Sequence, residues 1–271
     1  MPELPEVETT RRGIEPHLVN QKVARVVVRD GRLRWRVPAS LVQELPGQRI
    51  RSVTRRAKYL LLAGDTGTVI MHLGMSGRLR IAQADEPPAK FDHVDIVLTN
   101  GQCLRLHDPR RFGSVLWTTK LPESHKLLAN LGPEPFGSEF NADHLFRMTR
   151  GRTRAIRDVL LDSAVVAGVG NIYANEALFR AGIRPTRPAG RLSREDAGRL
   201  VRAIRVTLKH ALRAGGTTLR DYRASDGSPG YFQVSLKVYG RDGQACRTCR
   251  TPVRLSRLGQ RSAFYCPSCQ T

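Results

Sequence analysis

The chain begins MPELPEVETT, and the two residues behind the initiator methionine carry the chemistry. Removal of Met1, usual before a small residue, leaves Pro2 with a free secondary amine. An ordinary α-amino pKa of about 7.7 to 8 keeps part of it unprotonated at neutral pH, and a positive field lowers the pKa further. Such an amine attacks an electrophilic sugar carbon. Because it is secondary, the adduct is a cationic iminium that acidifies the adjacent C–H and promotes elimination. Glu3 stands beside it as a proton carrier.

Lys58, in RRAKY, is a second reactive group. Only seven of the 45 basic residues are lysine, so most positions that need only positive charge hold arginine. Lysine can act as an acid or base where arginine cannot. The plain alternative is a strand-edge lysine in water. A third constellation is Cys246-x2-Cys249 and Cys266-x2-Cys269, two knuckles that supply four thiolates to one tetrahedral, structural zinc ion. Arg254, Arg257 and Arg261 between the knuckles form a basic ribbon suited to phosphates. Cys103, alone in a strand, reads as a small buried hydrophobe. In HLGMSGRL and HDPRRFG, finally, Met75, Arg110 and Phe112 fall at or near loop tips: an isolated Met or Phe ordinarily belongs to a core, but near a DNA surface apolar side chains at loop tips can wedge between bases and an arginine can read a base edge.

These residues need elements to hold them. Pro5 suits the first position of a helix, Glu6 and Glu8 its first turn, and Val7, Ile14 and Leu18 recur at helical spacing, so a helix runs to about His17. Pro2 and Glu3 lie outside it as an exposed tip with no capping duty. Short apolar runs rich in Val, Ile and Leu follow, with turns at Gly64 to Gly67 and Asn100-Gly101. They predict an antiparallel sandwich or barrel over about the first 130 residues.

LGPEPFGSEFN, from Leu131, separates this region from a helical one. There TRAIRDVLLDS and NIYANEALFRAGI are helices, the second with Asn171 as its N-cap. Ser193 and Asp196 form a capping box for a longer helix that stops at Gly215-Gly216. The expected divisions are a catalytic domain over 1–132, a linker over 133–150, a DNA-binding helical domain over 151–235 with a loop at about 215–230, and a zinc finger over 236–271.

Composition agrees with a polyanion as partner, although an arginine-rich solubility surface carries the same charge. The 271 residues are 40% hydrophobic and 25% charged, with a net charge of +21 and a pI near 11. Up to Arg150 there are 23 basic and 16 acidic residues, and beyond it 22 and 8, so the second half is the more basic. Binding to duplex DNA should therefore weaken with salt by a log–log slope of about −0.9 per phosphate. No apolar run is long enough to span a membrane and the start is not a signal peptide, so the chain reads as cytoplasmic.

MPELPEVET, RRAKYLL, HLGMSG, DPRRFG, LGPEP, GVGNIYANEALF, GGTTL, PGYF and the four cysteines, in this order, resemble the bacterial formamidopyrimidine-DNA glycosylase family over essentially the whole chain. The resemblance implies an α+β fold: an N-terminal β-sandwich with flanking helices, a helix-two-turn-helix domain and a C-terminal zinc-finger hairpin. It implies a monomeric base-excision enzyme, glycosylase and AP lyase together, acting on 8-oxoguanine and formamidopyrimidines in damaged double-stranded DNA, with one structural zinc and no organic cofactor. By the same resemblance Pro2 is the Schiff-base nucleophile and Glu3 the general acid. Lys58 is the proton donor for β-elimination and Arg261 the one for δ-elimination. Met75, Arg110 and Phe112 fill the gap left by the flipped nucleotide, and Arg152 and Asn171 hold phosphates. Glu6, Thr217, Thr218 and Tyr222 line the pocket of the damaged base. Phe91 stands where a bacterial relative has His, so it is assigned no polar contact.

Two alternatives compete with this reading. One is an endonuclease VIII-like enzyme for oxidised pyrimidines, which the ELPEV start and the set Met75, Arg110 and Phe112 argue against. The other is a non-catalytic zinc-ribbon protein, which leaves the Pro2-Glu3 pair without a reason.

Overall fold

A computed structural model describes residues 2–216 and 236–271. The chain falls into two compact units, Met1–Ala129 with Ala214–Gln233 and Asn130–Arg213 with Val234–Thr271.

In the first unit, helix α1 (Leu4–Leu18) precedes strand β1 (Val23–Val28) and a short helix α2 (Ala39–Glu44). Seven strands follow: β2 (Ser52–Arg56), β3 (Tyr59–Ala63), β4 (Thr68–His72), β5 (Arg78–Gln83), β6 (Asp92–Leu98), β7 (Gln102–His107) and β8 (Ser114–Thr118). They form two antiparallel four-stranded sheets, β1-β6-β7-β5 and β2-β3-β4-β8. Both expected hairpins are present. Gly101, with φ +86°, turns β6 into β7, and Gly64 N–H donates to Gly67 O at 2.7 Å between β3 and β4.

One apolar core joins the sheets: Val94, Ile96, Leu104 and Leu106 from the first meet Val53, Leu60, Leu62, Val69 and Met71 from the second. Val7, Ile14 and Leu18 of α1 complete it, the stripe predicted from helical spacing. The sandwich is therefore as expected. Cys103 is fully buried in a small cluster with Ala82 and Val97, the place of a hydrophobe.

Every residue of β6 is buried, including charged ones, because β6 is a central strand with both faces covered. Arg105 on β7 pairs with Asp95 through Nε–Oδ1 at 3.0 Å and Nη2–Oδ2 at 3.0 Å, and both side chains are buried. Burial alone would raise the Asp95 carboxyl, but hydrogen bonds from Arg29 and Arg105 outweigh it and hold it below the ordinary range. Arg105→Met would strand a buried carboxylate on Arg29 alone. It is expected to cost about 3–5 kcal/mol of stability, seen as an earlier urea midpoint with an unchanged slope.

The second unit contains α3 (Ala142–Thr149), α4 (Ile156–Leu160), α5 (Asn171–Ala181), α6 (Arg194–Arg213) and the hairpin β9 (Arg254–Leu258) and β10 (Arg261–Tyr265). The stretch 133–150 contains α3, capped by Asn141 Oδ1, which accepts the His144 N–H at 2.9 Å, and packed on α6. Ser193 and Asp196 form the expected capping box. Gly182, at φ +71°, closes α5. The β9–β10 hairpin lies on α5. Among the described residues no helix is long and apolar enough to cross a membrane.

Candidate active site

Glu3 is the N-cap of α1. Its N–H donates to Glu6 Oε2 at 2.8 Å, and its carboxylate accepts the N–H of Glu6, so the two glutamates close a capping box. The sequence predicts an exposed tip without capping duty, whereas Pro2 is buried and Glu3 and Glu6 are 3% and 2% exposed. The reason is that the helix starts at Leu4, one residue earlier than Pro5 suggests. Its first N–H groups then need an acceptor, and the nearest is the residue just before the helix. Gly216 (φ +83°) packs against Glu6: a Cβ there would stand 3.0 Å from Glu6 Oε1. Glu6 is thus held between the head of α1 and the end of the 214–216 segment. Thr217, Thr218 and Tyr222 lie outside the described residues.

Lys58 is half-buried in the two-residue turn between β2 and β3, where Ala57 adopts left-handed φ of +53°. α1 packs on this hairpin, and Arg55 Nε lies 3.3 Å from Glu8 Oε2. Across the sheet, Tyr59 faces His72 of β4 with ring centroids 4.9 Å apart. Sequence reasoning passed over His72, whose signal was its place at the end of a strand before a glycine turn. Burial pushes the imidazole pKa down to about 4, and the positive charges of Lys58 and Arg34 add to the fall. Its Nδ1 accepts the Gly74 N–H at 2.9 Å, as a neutral ring can.

A His depressed in the folded chain stays neutral while the unfolded chain takes up a proton. The linked stability is therefore complete above about pH 6.5 and is lost as pH falls toward 4. We expect His72→Gln to flatten the stability–pH curve in that window by up to about 3 kcal/mol, as read from urea melts at stepped pH.

The HLGMSG loop joins β4 to β5 and the DPRRFG loop joins β7 to β8. One buried carboxylate pins them together. Asp108 Oδ1 accepts the Ser76 hydroxyl at 2.7 Å, Asp108 Oδ2 accepts the Gly113 N–H at 2.7 Å, and Ser76 Oγ accepts the Arg110 N–H at 3.2 Å. Gly74, at φ +60°, lies so close that a Cβ would run into the carbonyl of Phe112. The outcome is two loops with exposed tips: Met75 is 38% and Phe112 45% exposed, and Arg110 lies over the Phe112 ring at 4.8 Å. Phe91 is half-buried, edge-on to His107 at 5.9 Å with Lys90 Nζ 5.5 Å above its ring, and its side chain offers no polar atom.

In the second unit Asn171 is the first residue of α5, and Gly170 is the N-cap. This corrects the expectation that Asn171 caps the helix, and the reason is that its side chain is committed elsewhere. Its Oδ1 accepts from Arg157 Nη1 at 3.2 Å and its Nδ2 donates to Ser262 O at 3.0 Å. Arg157, fully buried, also donates through Nη2 to Leu258 O at 3.0 Å and Arg261 O at 3.3 Å. Burial pulls its pKa below the ordinary guanidinium value, with Asp158 opposing and the charge of Arg261 reinforcing the fall. Asn175 Oδ1 accepts the Phe264 N–H at 2.8 Å. The finger is thus tied to α4 and α5, and Arg261 opens β10 with an exposed side chain. Arg152 leans on Asp162 at 3.6 Å, with about a third of its side chain exposed.

The Sγ atoms of Cys246, Cys249, Cys266 and Cys269 all lie within 4.8 Å of one another, with pairs at 4.0 Å (Cys246–Cys269) and 3.3 Å (Cys249–Cys266). A tetrahedral zinc with Zn–S bonds of about 2.3 Å needs edges of about 3.8 Å, so the four thiols fit the ion.

The model of the formamidopyrimidine-DNA glycosylase N-terminal domain matches residues 1–115, and that of the formamidopyrimidine-DNA glycosylase H2TH domain matches residues 131–223. The chain belongs to the formamidopyrimidine-DNA glycosylase family. Among its family relatives, the formamidopyrimidine-DNA glycosylase of Stutzerimonas stutzeri is 58% identical over 270 residues and that of Methylococcus capsulatus 57%, each over the whole of both chains. Among solved structures, the MutM (Fpg) protein of Thermus thermophilus matches with a TM-score of 0.89 at 42% identity, over 99% of this chain and 98% of that one. Lactococcus lactis Fpg in complex with abasic-site DNA matches with a TM-score of 0.91 at 33% identity, over 99% of each. Within this glycosylase family member, Cys246, Cys249, Cys266 and Cys269 are the ligand set of a structural zinc. Among the described residues no other cluster of metal-ligating side chains is found.

Proposed function

We propose that this chain is a base-excision repair enzyme that binds damaged double-stranded DNA, flips out and excises oxidised purines such as 8-oxoguanine and formamidopyrimidines, and then cleaves the strand. The observation that carries the reading is the chain-long likeness to Fpg proteins crystallised on DNA, among them a Lactococcus lactis Fpg mutant on Fapy-dG DNA at 34% identity and a TM-score of 0.92.

The proposed chemistry starts at the amine of Pro2, which attacks C1′ of the damaged nucleoside. The C1′–N bond to the base breaks and its electron pair leaves with the base, which takes a proton from Glu3. The Pro2 nitrogen then gives up its proton and its electron pair expels the ring oxygen O4′ from C1′, so that the sugar opens, O4′ takes up the proton and nitrogen and C1′ form the iminium. Loss of a C2′ proton expels the 3′ phosphate in β-elimination, and a second elimination expels the 5′ phosphate. Lys58 moves protons in the first of these steps and Arg261 in the second. Met75 and Phe112 fill the gap left by the flipped nucleotide while Arg110 faces the orphaned base. Arg152 holds a phosphate through its guanidinium and Asn171 one through its backbone N–H at the start of α5, its side chain being committed to Arg157 and Ser262, and Glu6, with Thr217, Thr218 and Tyr222, receives the base. The burial of Glu3 and Glu6 supports a proton carrier shielded from bulk water. We place the enzyme in the cytoplasm as a monomer, which sedimentation at working concentration checks.

Borohydride reduction of the iminium tests the mechanism. The protein lacking Met1 should give one covalent complex with an 8-oxoguanine duplex, and Pro2→Gly should give far less. Equal trapping by the two proteins would remove Pro2 from the reaction.

A further inference from the structure

Between β1 and α2 the chain folds into a tight arginine-rich loop. Arg32 faces Arg36 in an antiparallel bridge, and the Val37 N–H donates to Gly31 O at 3.0 Å. Arg32 and Arg36 are both exposed. Like charges set directly opposite each other across a strand pair are destabilising, so this arrangement does not serve the fold. The nearby carboxylate, Asp30, is already shared: Arg32 Nη2 reaches it at 2.9 Å and Arg111 Nη2 at 2.7 Å. Arg29 is engaged by Asp95 at 2.5 Å. Arg36 has no carboxylate partner among the described residues.

Beside the loop lies an open cleft of about 770 Å³, walled by Arg29, Arg32 and Arg36, with Val28, Val37 and Val42 along its apolar side. Two contacts join it to the DPRRFG loop. Arg111, next to Arg110, holds Asp30 at the cleft wall, and the Arg34 N–H donates to Gly113 O at 3.0 Å.

We propose that this cleft is a further DNA-binding site: it takes the phosphodiester backbone of duplex DNA outside the damaged base pair, with Arg36 on a phosphate and Val37 and Val42 against deoxyribose. The proposal rests on the reading of the chain as a DNA glycosylase. A phosphodiester supplies the negative charge that Arg36 lacks, since Asp30, the single acidic residue in the lining, is already shared by Arg32 and Arg111, and its sugar suits an apolar wall. A strand read at Arg110 can run on into the cleft because the two loops are joined through the Arg111–Asp30 pair and the Arg34–Gly113 bond. Contacts of this kind add affinity without sequence preference.

The test is the salt dependence of binding to an undamaged duplex, which needs no catalysis. Arg36→Gln should make the log–log slope shallower by about 0.9, so that over a rise from about 50 to 200 mM salt the variant loses about threefold less affinity than the parent. Arg36→Lys should restore the slope, since a point charge suffices for a phosphate. Val42→Asp, at a position already 38% exposed, should weaken binding by putting a carboxylate in the cleft. Arg202→Gln, which removes the same charge from the exposed face of α6, should leave the slope unchanged. A parental slope in Arg36→Gln, or an equal loss in Arg202→Gln, overturns the proposal. So does loss of binding to an acidic peptide with the DNA slope intact, which would make the cleft a protein site. Failure of the glycosylase reading shows separately, as absence of the borohydride adduct in the parent protein.

Discussion

Glu3→Gln is expected to slow release of an oxidised purine by about 10²–10⁴-fold, the range that a positioned general acid supplies, while cleavage of a preformed abasic site falls much less. The asymmetry follows from the proposed chemistry: a damaged base must leave with a proton, whereas an abasic sugar already presents its electrophilic carbon to Pro2. Glutamine suits the experiment because of the capping box. Its amide oxygen can still accept the Glu6 N–H, and the Glu3 backbone N–H that donates to Glu6 Oε2 is untouched, so the helix start should lose no more than about 1 kcal/mol. Parallel single-turnover assays on an 8-oxoguanine duplex and on an abasic duplex measure the two steps. Equal slowing of both would show that position 3 acts through the fold.

Removing zinc should have the second large effect, with affinity for damaged duplex falling at least about 100-fold. Structural zinc sites contribute about 10–16 kcal/mol of apparent binding energy that is also folding energy. Phe264 and Cys266 lie in the small core around the four thiols, together with Val238 and Val253. Without the ion, the β9–β10 hairpin loses the anchor that opposes its own chain entropy, and the exposed Arg254, Arg257 and Arg261 lose their common placement. Three charge-assisted phosphate contacts of about 1.5–3 kcal/mol each are enough to account for the loss. A chelator titration followed by DNA binding and circular dichroism reads it, and restoring zinc should restore both signals. Full affinity in zinc-free protein would mean that the bonds from Asn171, Asn175 and Arg157 hold the finger by themselves.

Local patterns were legible in the sequence where local physics decides the outcome. The α1 stripe, the Gly101 turn, the Ser193 capping box and the cysteine knuckles each depend on residues a few positions apart, and each is present in the structure. What escaped depends on chain segments far apart in sequence. Asp108 meets Ser76 across 32 residues, and Arg105 finds Asp95 only because β6 and β7 pair in that register. His72 has no evident role until β3 sets Tyr59 opposite it. Asn171 illustrates the same limit from the other side. Its residue type fits an N-cap, but a buried guanidinium fourteen residues earlier and a carbonyl from β10 claim its side chain. Glu3 departs from expectation for a smaller reason: the helix begins at Leu4, one residue before Pro5.

Asp108 also bears on how such a protein could search a genome. Because one buried carboxylate holds both the Ser76 and the Gly113 ends of the two loops, their exposed tips travel as a single stiff probe. A probe of that kind has little to reorder at each new base pair, so the work of testing a pair falls on the duplex. Dwell times during sliding would then follow the stiffness of the DNA, with longer pauses at soft pyrimidine–purine steps than in rigid adenine tracts.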